Sequence, residues 1–279
     1  MKRKVITTLF IVVLLALTIQ CSFFFGFTGK LGLIYLPKYV KSDIKDDKYV
    51  NPQKISSLSI YGYNSYMQIR NSLKYCDNIT DFGLDLGKGD SYKTVENIDF
   101  LGCFPNVRSV YITGNSKDWS GISECNNLRE LDITKSNYSD LYYLKNLQNL
   151  EWLEIQTCNE ISSLEKVNLP SLKDIIIDAP SVDISCFYNA KSVTSLVLRV
   201  EKIKYIDSLK DFSGLKSIRF VGTYIDLDIV NLISNLDYID SIEFSKCTFS
   251  HSQSDINYAL SNYFERKADV KINDCEFRE

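Results

Sequence analysis

The sequence has few of the residues that carry out enzymatic chemistry. Its 279 residues include a single histidine, His251, so any serine or cysteine nucleophile activated by histidine would depend on this one side chain. His251 precedes a predicted C-terminal helix, and an exposed position near the helix start explains it without chemistry. We therefore predict that the protein is not an enzyme.

Motifs that bind metals or phosphate groups are missing as well. The eight cysteines include no Cys-x-x-Cys pair and no cluster with histidine, which argues against a zinc site. Gly83, Gly87 and Gly89 lack the GxxxxGK(S/T) spacing of a phosphate-binding loop. The sequence therefore predicts no cofactor.

The chain carries no excess of positive charge. Lysine and arginine total 32, aspartate and glutamate total 35, and the net charge is -3. Because nucleic-acid-binding domains present a basic patch, we expect no nucleic-acid partner. Hydrophobic residues make up 45% of the sequence, which is enough for a continuous core.

Apolar residues recur at a fixed spacing. Leu131, Leu153, Ile175, Leu196 and Ile218 follow one another at intervals of 21 or 22 residues. A period of this length is typical of a solenoid, in which each unit is one strand plus a return segment that buries its apolar side against its neighbours.

One repeat unit shows the pattern most clearly, and it resembles the leucine-rich repeat of bacterial surface proteins of the internalin-like type, LxxLxLxxNxIxDIxxLxxL. Ser136 stands where that family has asparagine. The same frame extends from Ile55 to the end of the chain in about ten units. The resemblance implies an α/β solenoid with a parallel, concave β-sheet. The unit's apolar and turn positions are Leu128, Leu131, Ile133, Tyr138, Asp140, Leu141, Leu144 and Leu147.

A ladder of small polar residues is expected where each strand turns away from the sheet, because a side chain there must satisfy backbone groups. Pro180 and Glu201 fit this role poorly, and we expect distorted turns at both. The cysteines on the ladder, with Cys76 and Cys125 in the return segments, are interpreted as unpaired structural thiols. The predicted ladder is Asn115, Ser136, Cys158, Pro180, Glu201, Thr223, Cys247 and Cys275.

The N-terminal sequence pattern predicts an export segment. Lys2, Arg3 and Lys4 precede an apolar run over residues 5–27, which as a helix would reach about 34 Å and span a hydrocarbon core of about 30 Å. The basic cluster favours an N-terminus held in the cytosol. We predict an uncleaved signal anchor in the cell membrane with the repeats outside; a cleaved signal peptide and a lipoprotein acylated at Cys21 remain alternatives.

The sequence therefore divides into a signal anchor or signal peptide at 1–27, a linker at 28–54 and a leucine-rich repeat domain at 55–279. The repeat domain includes a helix-strand cap at its C-terminus. Its helix is predicted over 250–267, with Ser252 or Ser254 as N-cap. The apolar face of this helix would contain Ile256, Ala259, Leu260, Tyr263 and Phe264.

The candidate binding site lies on the concave sheet, where residues alternating with the core face solvent. Tyr111 and Trp152 are the expected anchors, since tyrosine and tryptophan are frequent hot-spot residues in interfaces. Acidic neighbours would complement a basic protein or cell-surface ligand. The full predicted site is Tyr111, Glu130, Asp132, Trp152, Glu154, Asp174, Ile176 and Arg199.

Other interpretations stay open at this point. The same residues could form an ordinary solvated strand face. Asp132 and Glu154 would be neighbours, as in a glycosidase carboxylate pair or a calcium site, although an open sheet offers no enclosed pocket. Two functions from different classes remain: a membrane-anchored recognition module, and a structural component of the cell surface that makes homotypic contacts.

Overall fold

A computed structural model of the chain describes residues 33–44, 49–88, 91–163, 165–236, 238–265 and 269–278. The membrane helix predicted over residues 5–27, together with its alternatives of a signal peptide or acylation at Cys21, lies outside these ranges. Within them, no helix combines the length and the apolar character needed to cross a membrane.

One large sheet dominates the described part of the chain, with eleven strands that lie side by side in sequence order. The last ten strands are parallel, and the first pairs antiparallel with the second. This confirms the predicted α/β solenoid and its count of about ten units. The strands are β1 Val40–Ser42, β2 Ser57–Tyr61, β3 Asp81–Asp85, β4 Ser109–Thr113, β5 Glu130–Ser136, β6 Trp152–Thr157, β7 Asp174–Asp183, β8 Ser195–Lys204, β9 Ser217–Val221, β10 Ser241–Ser245 and β11 Asp269–Asn273.

The register of the sheet stacks equivalent residues. Leu131 lies opposite Val110 on one side and Leu153 on the other, and all three are completely buried. Because side chains alternate across a strand, the intervening residues face the open concave side. Burial of each such leucine or isoleucine stabilises the fold by about 1.5–3 kcal/mol, and the stacked rows form one continuous core.

The return segments are mostly short 3-10 helices. Apolar residues spaced by three, such as the buried pair Leu141 and Leu144, suit a helix with three residues per turn. The 3-10 helices are Pro52–Lys54, Arg70–Tyr75, Asp99–Cys103, Ser120–Glu124, Leu141–Leu144, Ile184–Cys186 and Ile206–Asp211. The α-helices are α1 Tyr63–Ile69, α2 Leu227–Ser234, α3 Gln253–Ala259 and α4 Ser261–Glu265.

Short strands complete the architecture outside the main sheet. They pair as Ile34–Tyr35 with Tyr49–Val50, Gly87–Lys88 with Ser91–Tyr92, Thr94–Asn97 with Asn115–Asp118, and Val167–Asn168 with Phe187–Tyr188. Three more, Tyr224–Ile225, Thr248–Phe249 and Glu276–Phe277, form a small sheet near the C-terminus.

The predicted ladder is correct where the preceding residue has a φ between 48° and 66°. Ser136 is buried, donates to Gln156 O at 3.2 Å and accepts from Tyr138 N at 3.2 Å. Its predecessor Lys135 has φ 48°, which turns the chain and rotates the next side chain inward. The same arrangement occurs at Thr223, Cys247 and Cys275, which follow Gly222 (φ 66°), Lys246 (φ 54°) and Asp274 (φ 52°).

The ladder prediction is wrong at four positions. Cys158, Pro180 and Glu201 are exposed, and no left-handed residue precedes them in the described chain. At all three positions the inward side chain falls one residue earlier. At Pro180 and Glu201 the expected distorted turns are replaced by strands that continue to Asp183 and Lys204. The buried residues are instead Thr157, Ala179 and Val200. Asn115 is half-buried and opens a short strand after Gly114 (φ 123°).

Most of the described cysteines are unpaired buried thiols, as predicted. Cys76, Cys125 and Cys247 are buried and free, whereas Cys158 is exposed and Cys275 half-buried. Cys186, which has no predicted role, is also buried, with its Sγ 3.7 Å from Ser163 O.

Described residues of the segment predicted as a linker, 28–54, pack against the repeats. Ile34 is fully buried, Val50 almost so, and Val40 lies opposite Ile60 in the antiparallel pair of β1 and β2. These residues cover the first parallel strand and close that edge of the core, so here the chain is part of the folded body.

The C-terminal helix begins as predicted but is divided. The Ser252 side chain accepts from Asp255 N as the N-cap of α3, and a break at Leu260 separates α3 from α4. Ile256, Leu260 and Tyr263 are fully buried. The Tyr263 hydroxyl donates to Ile233 O and Leu236 O, so α4 packs against the return segment that contains α2.

Candidate functional site

The concave face of the sheet carries the predicted site residues in two adjacent rows. In the first row, Glu130 lies beside Trp152, which lies beside Asp174. In the second row, the neighbours are Tyr111, Asp132, Glu154 and Ile176 in that order. Strand pairing alone fixes these positions, because equivalent residues of successive repeats stack side by side.

A shallow depression of ≈ 500 Å³ lies over the first row, and we call it the Trp152 depression. Four predicted site residues line it: Tyr111, Glu130, Trp152 and Asp174. Tyr111 is 41% exposed. Trp152 is half-buried, so a smaller fraction of its surface is open to solvent. The remaining lining residues are Arg129, Glu151 and Lys173.

Hydrogen bonds hold one wall of this depression in place. The hydroxyls of Tyr111 and Ser109 both donate to Glu130 Oε2, at 2.7 Å and 3.2 Å. Partial burial, followed by the hydrogen bond to the Glu130 carboxylate and its charge, raises the pKa of Tyr111 to about 12. Tyr111 therefore stays protonated at physiological pH and acts as a donor.

The rim of the depression was missed by the sequence-based prediction. Lys173 Nζ lies 2.6 Å from Glu151 Oε2, and Arg129 Nη1 lies 3.4 Å from Glu151 Oε1. The hydrogen bond and the charge of Lys173 lower the pKa of Glu151. A signal was present in the sequence: these residues alternate in charge at the 22-residue interval, one position before each strand.

The second row contains two adjacent carboxylates, Asp132 and Glu154, that repel each other. Burial, followed by the charge of the adjacent Glu154, raises the pKa of Asp132 to about 6. Asp132 Oδ1 is buried and finds no hydrogen-bond partner among the described residues. Asp132 therefore carries a charge at neutral pH that its surroundings disfavour.

Two predicted residues lie outside the Trp152 depression. Ile176 is half-buried beside Glu154, and Arg199 Nη1 lies 3.8 Å from Glu154 Oε1. Arg199 also lines a second shallow depression together with Asp178 and Pro180. Arg199 thus partly neutralises the centre of the face without entering the depression beside it.

The central concave face is strongly acidic. The exposed and half-buried positions on β3 to β7 hold carboxylates and one basic residue, Lys135. Further basic residues appear at Arg199, Arg219 and Lys271. Arg219 is already paired, with Nε 2.8 Å from Glu243 Oε2. The carboxylates of the central face are Asp81, Asp85, Glu130, Asp132, Glu154, Asp174 and Asp178.

The carboxylates do not form a metal-binding cluster. Across the described ranges, no group of three or more histidine, cysteine, aspartate or glutamate side chains converges as metal ligands would. Asp132 and Glu154 lie side by side on the concave sheet, and both residues are half-buried there.

Solved structures similar to this chain include two internalins and a TLR13 complex. InlF, an internalin from Listeria monocytogenes, is similar in structure with a TM-score of 0.52 and 15% sequence identity, over 81% of this chain and 76% of that chain. Internalin C2 from the same bacterium matches 82% of this chain and 76% of its own length at 12% identity and a TM-score of 0.34. TLR13, in its complex with ssRNA13, matches 74% of this chain and 40% of its own at 12% identity and a TM-score of 0.42.

No family model matches the sequence, and no curated protein matches it. The ten stacked parallel strands and the likeness to InlF establish the leucine-rich repeat solenoid as the fold of this chain.

Proposed function

We propose that this protein is a non-catalytic recognition module that binds a basic protein or cell-surface ligand on its concave sheet. The observation that carries this proposal is the Trp152 depression, in which Trp152 lies between the carboxylates of Glu130 and Asp174, and Tyr111 lies on the other side of Glu130. Within the described residues neither carboxylate forms an ion pair. Aromatic anchors flanked by unpaired charge are typical of interface hot spots.

We also propose that the module is exported and held at the cell membrane by residues 5–27. The basic cluster before this apolar run supports the orientation. Protease digestion of intact cells should degrade the repeat domain while the membrane keeps a small N-terminal fragment. A mature mass that lacks residues 1–27 would contradict the anchor and favour a signal peptide, and a mass with acyl chains on Cys21 would favour a lipoprotein.

Site-specific photo-crosslinking tests the binding proposal. Benzoylphenylalanine at Ile176, on the concave face, should capture a distinct partner on the cell surface. The matched control places the same group at Tyr258, which is 83% exposed on α3. Trp152→Ala and Tyr111→Ala should abolish capture from position 176 in protein whose melting temperature shows that it is folded. Identical products from both positions, or no product at either, would refute the proposal.

The alternative is a structural component of the cell surface with homotypic contacts. It is favoured by β11, whose only neighbour in the described sheet is β10 and whose residues Val270 and Ile272 are half-buried. Under this alternative, crosslinks from positions in β11 would join two copies of the chain. Trp152→Ala and Tyr111→Ala would leave that assembly intact.

A further inference from the structure

A second set of exposed aromatic side chains lies at the N-terminal end of the sheet. Here Tyr39, Tyr61 and Tyr63 surround a depression of ≈ 530 Å³, which we call the tyrosine pocket. Asn64, Leu86 and Lys93 complete its principal lining. The pocket is formed at β1, β2 and the turns that follow β2 and β3, whereas the Trp152 depression lies over β4 to β7.

Strand pairing places two of these tyrosines side by side. Val40 lies opposite Ile60 with both side chains in the core, so the next pair along the antiparallel strands is Tyr39 with Tyr61. Tyr61 N donates to Tyr39 O at 2.8 Å. The two rings project on the concave side and are 57% and 43% exposed. Neighbouring exposed rings of this size mark a surface that gains from being covered.

Positive charge surrounds the tyrosine pocket. Lys41 Nζ lies 5.3 Å from the centre of the Tyr61 ring, and Lys38 Nζ lies 5.3 Å from the centre of the Tyr39 ring. Lys93 lines the pocket itself. Within the described chain these three ammonium groups form no ion pair, and the nearby Asp85 carboxylate accepts from Gly87 N at 2.9 Å. Near this pocket three lysines thus outnumber one carboxylate, Asp85, whereas carboxylates predominate on the central concave face.

We propose that the tyrosine pocket binds an anionic sugar, namely a pyranose that carries a carboxylate or a phosphate group. A pyranose offers an apolar C–H face that packs on the electron-rich face of an aromatic ring. Its hydroxyls match the Asn64 amide and the tyrosine hydroxyls, which both donate and accept hydrogen bonds. The anionic group would lie among the lysines. This site is independent of the proposed concave interface, because it uses different residues, and lysines rather than carboxylates predominate in it.

Calorimetric titration of the purified full-length chain tests this site. Two arms distinguish the sources of the anion: trigalacturonate supplies carboxylates, and glucose 6-phosphate supplies a phosphate. Maltotriose is the neutral probe. We expect saturable binding of at least one anionic probe and at least about tenfold weaker binding of maltotriose. Tyr39→Ala and Tyr61→Ala should each weaken binding about tenfold, and Lys93→Gln should reduce the preference for the anionic probe.

Conservative and remote variants separate a binding role from a structural one. Tyr61→Phe keeps the ring and should retain most of the affinity, and Tyr258→Ala removes an exposed tyrosine far from the pocket and should leave affinity unchanged. The proposal is overturned if neither anionic probe binds, if maltotriose binds equally well, or if folded Tyr39→Ala and Tyr61→Ala proteins bind like the parent. Binding of a proline-rich peptide in place of both sugars would also overturn it.

Discussion

Tyr111 and Glu130 are joined across two neighbouring strands by a 2.7 Å hydrogen bond from the phenol to the carboxylate. Ser109 donates to the same oxygen, Oε2. Among the described residues no donor approaches Oε1, so this oxygen is open to a cationic group of a ligand. The pair thus presents an aromatic ring and an oriented negative charge at one edge of the Trp152 depression.

Removal of the charges beside Trp152 should change the rate of partner association. We expect Glu130→Gln combined with Asp174→Asn to slow association about tenfold at low salt, with little difference at high salt, because exposed charges steer encounter and are screened. Surface plasmon resonance with the captured partner measures this. Glu96→Gln combined with Asp211→Asn makes the same charge change away from the concave face and should have no such effect; equal effects of both pairs would contradict the prediction.

The raised pKa of Asp132 predicts that Asp132→Asn increases the stability of the fold by an amount that depends on pH. The folded pKa is about 6 and the ordinary value is 3.8, so between these pH values the unfolded chain loses its proton first. Stability therefore falls as pH rises through this window and stays lower above it. Because the group is partly solvated, we expect Asp132→Asn to raise the free energy of unfolding by about 1 kcal/mol near pH 8.

The same variant should raise the free energy of unfolding far less near pH 3.5, where Asp132 is protonated in the folded state and mostly protonated in the unfolded state. Urea unfolding at the two pH values measures the difference. Asp211→Asn, at an exposed position on a return segment, is the control and should change stability by less than about 0.5 kcal/mol at either pH. A gain from Asp132→Asn that is equal at both pH values would show that the charge is not responsible.

Removal of the hydroxyl group should change the stability of the fold in opposite directions at two fully buried tyrosines, Tyr138 and Tyr263. Tyr138 Oη has no hydrogen-bond partner among the described residues. The Tyr263 hydroxyl, in contrast, donates to Ile233 O at 2.6 Å and to Leu236 O at 2.7 Å. We expect Tyr138→Phe to stabilise by about 1 kcal/mol and Tyr263→Phe to destabilise by about 1–2 kcal/mol. Chemical denaturation compares them directly, and a loss of stability in Tyr138→Phe would reveal a partner for its hydroxyl.

The close approach of successive return segments can be tested at Gly121. A Cβ there would lie 2.3 Å from Ile98 O, whereas a Cβ at Gly102 would make ordinary contacts of 3.4 Å and 3.6 Å with the Glu124 side chain. Gly121→Ala should therefore destabilise by about 3 kcal/mol. Gly102→Ala should change stability by less than about 1 kcal/mol. Similar thermal unfolding of the two variants would argue against this packing.

Thiol reactivity should single out Cys158 among the described cysteines. Burial raises the pKa of Cys76 and Cys125 to about 12 and that of Cys247 to about 11, so these thiols are protonated and shielded. A disulfide reagent should modify Cys158 rapidly, and the buried thiols only after unfolding. Cys158→Ser should remove that fast reaction. Its persistence would place the reactive thiol elsewhere.

Much of the fold follows from the spacing of apolar residues. Leu131, Leu153 and Ile175 stack as neighbours, as their 22-residue interval predicts. The reason is that each repeat buries its apolar side only by packing against the adjacent repeats. The predicted N-cap of the C-terminal helix at Ser252 is also confirmed. Local patterns of this kind depend on a few residues close together in the chain.

The predicted ladder was wrong at Cys158, Pro180 and Glu201 because it depends on backbone conformation. The inward side chain comes five residues after Leu131, at Ser136, but four residues after Leu153, at Thr157. The difference is the left-handed residue before Ser136. Lysine and aspartate occupy that conformation at Lys135 and Asp274, although glycine would be the usual choice. Residue identity therefore does not mark these turns.

The sequence by itself determined that this chain is a stack of about ten similar coils with an acidic, aromatic-bearing inner surface, since period and alternation are properties of a linear pattern. Only the tertiary structure decided which of those side chains share a depression, that Arg129, Glu151 and Lys173 form its rim, and that Tyr39 meets Tyr61 beside three lysines. These contacts join residues about one repeat apart, and their distances depend on the register and turns of the folded coils.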